Sequence, residues 1–380
     1  MKFIDRMRDR FFGDDPKTMC VFLLFFLLCA NYLVYSFLGG EGLKNYFRLA
    51  IIALIAGYCI WRFVNKKIDA AFLTVLGTAT ATGLMGGTLS LNVSFLLLLA
   101  LFLVGMASER INKMAFYANV ILLIFVLACL ILGLVENTHY VNSDGRGRFT
   151  FGFSNVNAAS SFAFSMATTY LLSKKESRHK FVIGVLITFS VVYLVTDSRT
   201  AFWCLIFLVL FWLAAEYLPK KISKLLVCLF VILMFLSPCI WELPVVNQGP
   251  IDDLMSDRPT FFIGYMAEHT LANLLFGGST VTEVDNFYLL LLYNAGIFVY
   301  AACGIVVLFA FIRLLKRGRT FEVGFCLTML LYGQLEGILL RPEILCVPIF
   351  WYYIFRNFTL DSVKDELVSL AAVFKPKKNS

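Results

Sequence analysis

Apolar runs of about twenty residues recur from one end of this chain to the other, and they constrain its fold more than any other feature. A helix needs roughly twenty such residues to cross about 30 Å of hydrocarbon. Runs of this kind lie at 18–38, 47–64, 69–87, 90–107, 115–136, 157–173, 181–196, 200–218, 223–240, 286–312, 321–340 and 342–359. The run at 69–87 is diluted by Gly and Thr, and the one at 181–196 is short. Hydrophobic residues fill 60% of the 380 positions and charged ones 15%, a balance outside the soluble globular range. The expected fold class is an all-α polytopic membrane protein of about 12 transmembrane helices. Residues 1–380 would form one integral membrane domain with no separate soluble part.

The net charge of +8 reads as topology rather than as affinity for nucleic acid, because the cations concentrate on one face. With the N-terminus inside, the inner loops carry Arg62, Lys66 and Lys67; Arg110 and Lys113; Lys174, Lys175, Arg178 and Lys180; Lys220, Lys221 and Lys224; and Arg313, Lys316, Arg317 and Arg319. Both termini are basic and fall on the same side. The first run follows Lys2, Arg6, Arg8 and Arg10, is too long for a signal h-region and lacks a small-x-small cleavage site, so it reads as an uncleaved span. The ten cysteines sit in or beside apolar runs without CxxC spacing, which indicates neither a disulfide framework nor a metal site.

Seven cations fall on the outer face against this bias: Lys44, Arg48, Arg146, Arg148, Arg199, Arg258 and Arg341. All but Lys44 are arginines, whose planar fork grips phosphate or carboxylate in a bidentate way. For Lys44 and Arg48, snorkelling to anionic headgroups suffices. Arg146 and Arg148 lie in the glycine-rich outer loop 141–157, which ends with Asn155 and Asn157 at the mouth of the sixth run. Helix capping and substrate contact both suit these two asparagines. Arg199 follows Thr196-Asp197-Ser198 and needs an anionic partner or a wet cavity. Asp197, Glu336 and a ligand are its candidates. Near the outer end of the eleventh run stand Gln334, Glu336 and Arg341. A glutamate within a spanning helix is a functional hypothesis by default, and the outer arginines are its nearest opposite charges.

The longest stretch that cannot lie in a bilayer is 241–286, an outer loop between the ninth and tenth spans. Ser256-Asp257-Arg258-Pro259 looks like a helix start, with proline tolerated in the first turn. From Phe261 to Leu275 the run is amphipathic enough to lie along the interface, and Gly277-Gly278 ends it. The helix start would aim its amides and Arg258 at an anion. His269 is one candidate base in this loop and Asp285 another; a helix cap is the structural alternative for Asp285.

These features together resemble the Wzy-type O-antigen and polysaccharide repeat-unit polymerases, within the O-antigen ligase–polymerase superfamily. The resemblance rests on Arg148 with Phe151-Gly152-Phe153 and Asn155-x-Asn157; Ser198-Arg199 after a span; and Arg258 opening a long outer loop. Leu275-Phe276-Gly277, Asp285-Asn286-Phe287-Tyr288-Leu289 and Gly296 complete it. It covers about residues 140 to 312 and implies a GT-C-like glycosyltransferase in a bacterial inner membrane, needing no cofactor or metal. The implied substrate is an undecaprenyl-pyrophosphate-linked oligosaccharide, with membrane lipid, a flippase and a chain-length regulator as further partners. Arg258, Asp285, Arg199 and His269 would serve catalysis. Arg146, Arg148, Asn155, Asn157, Asn286, Glu336 and Arg341 would bind substrate. Ligases of the superfamily, and many polymerases, carry histidine where this chain has Asp285. A ligase or a lipid-linked oligosaccharide flippase is the competing reading; a transporter would place polar, broken-helix features near the midplane, usually with an internal repeat.

Overall fold

The computed structural model describes residues 16–36, 41–65, 76–77, 79–80, 88–103, 106–141, 147–153, 155–174, 178–247, 258–279 and 284–357. These form α1 (Pro16–Ser36), α2 (Glu41–Val64), α3 (Thr88–Leu103) and α4 (Ser108–Ile131), then a hairpin of β1 (His139–Val141) and β2 (Gly147–Phe149). There follow α5 (Val156–Ser173), α6 (Arg178–Thr196), α7 (Arg199–Tyr217), α8 (Lys220–Trp241) and a single turn, α9 (Pro244–Asn247). The loop helices α10 (Arg258–Ala267) and α11 (Leu271–Phe276) precede α12 (Phe287–Lys316), α13 (Thr320–Leu335) and α14 (Cys346–Asn357).

This is a helical membrane protein. Among the described residues, five helices are long and apolar enough to cross a membrane, at 17–34, 46–64, 108–131, 220–241 and 287–316, and shorter apolar helices lie at 91–103, 181–196 and 199–215. Leu194, Trp203, Leu225 and Phe298 are all more than half exposed. Such an outward apolar surface has a solvent only if lipid covers it. The expected span at 69–87 lies largely outside the described residues.

Inside, polar side chains join the helices. The sequence of α5 is rich in Ala, Ser and Thr, small residues that let neighbouring backbones approach closely. Asn119 of α4 donates to Thr169 Oγ1 of α5 at 3.2 Å. The Cys346 backbone amide donates to Ser165 Oγ at 3.2 Å, and the Tyr32 hydroxyl donates to the Ala158 carbonyl at 2.8 Å. One helix thereby collects contacts from α1, α4 and α14.

A second junction grows from a proline. Pro238 lies inside α8 and has no N–H to give the carbonyl four residues back. That carbonyl, Met234 O, accepts instead from Gln334 Nε2 of α13 at 2.8 Å, and the same nitrogen reaches Ser237 Oγ at 2.6 Å. A proline in one helix thus fixes the C-terminal end of another.

The tenth apolar run is not one straight helix. Gly296 has φ +83° and ψ 163° within α12, a conformation open to glycine and costly for other residues. The loop after α11 docks at this break: Gly278 N donates to Asn294 O at 3.0 Å, and Ser279 N donates to Tyr293 O at 3.2 Å. These bonds satisfy carbonyls that the break takes out of the helical ladder. A Cβ on Gly277 would lie 2.5 Å from Asn294 O, and one on Gly296 would lie 2.7 Å from Leu275 O. Both positions therefore need glycine.

The loop itself departs from its expected single helix over 261–275. It is two helices, because Thr270 and Asn273 form a reciprocal capping box that starts a new one.

Candidate functional site

The starts of α5, α7, α10 and α12 and the end of α13 lie together at one end of the bundle. Ser160 of α5 donates to Ser198 at the start of α7 at 2.7 Å. Asn286, fully buried, is the N-cap of α12: its Oδ1 accepts from Tyr288 N at 2.9 Å and Leu289 N at 3.0 Å. Its Nδ2 donates to the Gln334 carbonyl at 2.9 Å and to Gln334 Oε1 at 3.3 Å. The whole amide is thus occupied in joining the start of α12 to the end of α13. Asp285 precedes this clamp by one residue and Glu336 follows it by two.

Glu336 is not within a helix. It is the C-cap of α13, with φ −150° and ψ 142°, and it opens a link to α14 that begins with a short 3-10 helix, Gly337–Leu340. Its Oε1 accepts from Arg258 Nη2 at 3.2 Å and from Asn157 Nδ2 at 3.3 Å. Three distant segments, at the starts of α5 and α10 and the end of α13, therefore meet at one oxygen. Arg341 lies within electrostatic range of Glu336 and Asp285, and also of Glu343 and Tyr32. Burial pushes the Glu336 carboxyl above the ordinary value of 4.5, the Asp285 charge pushes it further, and Arg258 partly offsets both.

Arg258 begins α10 as the sequence predicts. Its Nη2 is paired with Glu336, while its Nη1 is buried with no hydrogen-bond partner among the described residues. A buried donor left open costs about 1–3 kcal/mol, and the side chain keeps 24% of its surface exposed, where an anion can meet the guanidinium.

The remaining sequence-predicted residues fall in several places. Asn155 caps α5, its Oδ1 accepting from Ala158 N at 2.7 Å, and it is exposed. Arg148 is on β2 and pairs with Asp197 at 3.1 Å. Asp197 adopts φ +48° in the turn between α6 and α7. Both partners expected for Arg199 are therefore paired elsewhere, Asp197 with Arg148 and Glu336 with Arg258. Arg199, the first residue of α7, is half-buried with no ion pair among the described residues. Arg146 lies outside the described residues.

Asp285 is exposed and has no hydrogen bond or ion pair among the described residues. It is not the helix cap; Asn286 is. The two ring nitrogens of His269 are both engaged, Nδ1 with Tyr265 O at 2.7 Å and Nε2 with Ser279 Oγ at 2.6 Å. The ring stands between Tyr265 and Tyr293, with centroids 4.4 Å and 4.6 Å away. His269 thus holds the loop against the break in α12, beyond the far end of a helix roughly 14 Å long from Arg258.

Sequence reading missed Ser160, Ser279 and the role of Gln334. For Gln334 a partial signal exists, since Pro238 frees Met234 O for a new donor, although Ser237 Oγ of the same helix also donates to it at 2.7 Å. Ser160 and Ser279 carry no such signal, because a lone serine is compatible with any helix or loop. No protein-family model, curated protein or solved structure matches the chain.

Proposed function

We propose that the chain is a repeat-unit polymerase, a metal-independent glycosyltransferase of about 12 spans and GT-C-like arrangement in a bacterial inner membrane with both termini cytoplasmic. It would transfer a growing glycan from its undecaprenyl pyrophosphate to the non-reducing sugar of a new lipid-linked repeat, at the outer leaflet. The observation that carries this reading is the half-free Arg258 fork at a helix start, gathered with Asn157, Glu336, Asp285 and Arg341. Such a transfer needs a cation that stabilises a departing pyrophosphate, and a bidentate guanidinium supplies one. It also needs a carboxylate within reach of the attacking hydroxyl. Both are present in one cluster.

An apolar cavity supports the same reading. It has a volume of about 510 Å³ between α8 and α12, where Phe235, Leu236, Met266, Leu274, Tyr293 and Ile297 line it. Met266 and Leu274 belong to the two loop helices, so the loop that carries Arg258 also contributes walls suited to a lipid chain.

The break at Gly296 favours one alternative, a lipid-linked oligosaccharide flippase, since transporters use discontinuous helices. Deleting the gene and analysing the lipid-linked glycans separates these two and the ligase reading. Single repeats exposed on the outer face but not joined identify a polymerase. Repeats retained on the inner face identify a flippase. Repeats that polymerise but are not passed to their final acceptor identify a ligase.

A further inference from the structure

Among the described residues, Asp285, His269 and Glu336 are the candidates at this loop for taking a proton from an attacking hydroxyl, and their surroundings separate them. Nothing among the described residues orients the exposed Asp285 carboxylate. His269 has both nitrogens occupied in holding the loop. Glu336 differs from both. Its Oε1 is held from two sides by Arg258 and Asn157. Its Oε2 has no partner among the described residues and is not among the fully enclosed atoms that lack one. The side chain keeps 11% of its surface exposed. One oxygen is a fixed anchor and the other is presented.

We propose that Glu336 is the general base of the transfer, taking the acceptor's proton on Oε2 while Asn157 and Arg258 hold Oε1. This rests on the polymerase reading and adds the identity of the base to it. The acceptor hydroxyl oxygen forms a bond to the anomeric carbon of the lipid-linked glycan. The bond from that carbon to the pyrophosphate oxygen breaks, and its electron pair stays on that oxygen. The hydroxyl proton passes to Glu336 and then to water. Products are the lengthened lipid-linked glycan and a lipid pyrophosphate with one more negative charge.

The Arg258–Glu336 pair links the two halves of this step. When Glu336 accepts the proton, its charge disappears and its hold on Arg258 weakens. The pyrophosphate gains charge at that moment, and the guanidinium is available to it. A carboxylate that is buried and beside Asp285 accepts a proton more readily than a solvated one. Among the described residues, the titratable groups facing it are Asp285, Arg258, Arg341, the Tyr332 hydroxyl and the Cys204 thiol. Of these, Asp285 is the one whose negative charge raises the affinity of Glu336 for its proton.

The test uses the full-length protein in liposomes, supplied with lipid-linked repeats extracted from cells lacking the gene. Wild type should join repeats, and Glu336→Gln should lower the rate by about 10²–10⁴-fold. Formate added to Glu336→Ala should restore part of the rate, which a merely structural glutamate would not allow. Asp285→Asn should move the acid limb of the pH–rate profile to lower pH, a readout that does not depend on Glu336 variants folding. A Glu336→Gln enzyme within tenfold of wild type overturns the proposal. So does an Asp285→Asn enzyme with an unmoved acid limb, or one inactive at every pH. A wild-type protein that binds repeats but never joins them overturns the polymerase reading instead.

Discussion

Asn286 donates its side-chain amide to the Gln334 carbonyl at 2.9 Å, and that bond sets the spacing of the two carboxylates in the site. Asp285 is one residue to one side of the pair, and Glu336 two residues to the other. The same asparagine caps α12, so removing it takes away a cap and a cross-helix bond together. Asn286→Ala should destabilise the protein by about 1–3 kcal/mol. Asn286→Asp, which keeps the acceptor but loses the donor, should retain part of that stability. Thermal unfolding of the purified variants in detergent measures both; equal losses would mean that the Gln334 bond contributes nothing.

Arg258→Lys should reduce polymer formation by about 10²-fold or more while the protein remains in the membrane. A lysine keeps the charge but cannot hold Glu336 with one nitrogen and offer a second to phosphate. Polymer ladders from cells carrying the variant are the readout, with membrane content checked by immunoblot. Wild-type polymer would remove Arg258 from the site.

His269→Ala should loosen the loop rather than alter proton transfer. Losing the bonds to Tyr265 O and Ser279 Oγ removes about 1–3 kcal/mol of docking, so limited proteolysis between 268 and 280 should accelerate. The acid limb of the pH–rate profile should stay where it is. A shifted limb would make His269 the titrating group.

Gly277→Ala and Gly296→Ala should each disrupt the docking of α11 at the break in α12. Either Cβ meets backbone within 2.8 Å, and both residues have positive φ. Backbone cannot move aside as a side chain end can, so the destabilisation should reach at least about 1–2 kcal/mol at each position. Equal unfolding temperatures in variant and wild type would show that the docking is dispensable.

The buried Glu336 also makes stability depend on pH, with a definite sign. Its folded-state value is raised by burial and by Asp285 above the ordinary 4.5, so the folded protein holds the proton more tightly than the unfolded chain. Stability from this group is complete below the ordinary value and is lost as pH rises through the raised one. Relative to wild type, Glu336→Gln should therefore gain stability as pH increases across that window. Parallel melting curves for the two proteins would refute the shift.

Much of this molecule follows from local sequence. Apolar runs of membrane-crossing length make helices because a backbone in hydrocarbon must bond to itself. A serine or asparagine before a run, as at Asn155, caps it; Pro259 after Arg258 starts α10; Gly277 and Gly278 end α11. These outcomes depend on neighbours a few residues away. The split of the loop into two helices, by Thr270 and Asn273, was equally local and legible only from the capping pair.

Which charges meet is a different matter. Arg199 and Asp197 are two residues apart, yet Asp197 pairs with Arg148, 49 positions away. Glu336 engages Arg258 and Asn157 at separations of 78 and 179. A pairing of that kind depends on the direction and tilt of every intervening helix, and those come from packing. The chain alone determined a helical membrane protein with arginines and carboxylates on one face. Tertiary structure decided that Asn286, not Asp285, caps α12. It also decided that His269 braces a loop and that Glu336 presents, beside Arg258, one oxygen with no partner among the described residues. A helix specifies its own hydrogen bonds but not its neighbours, and this site is made wholly between neighbours.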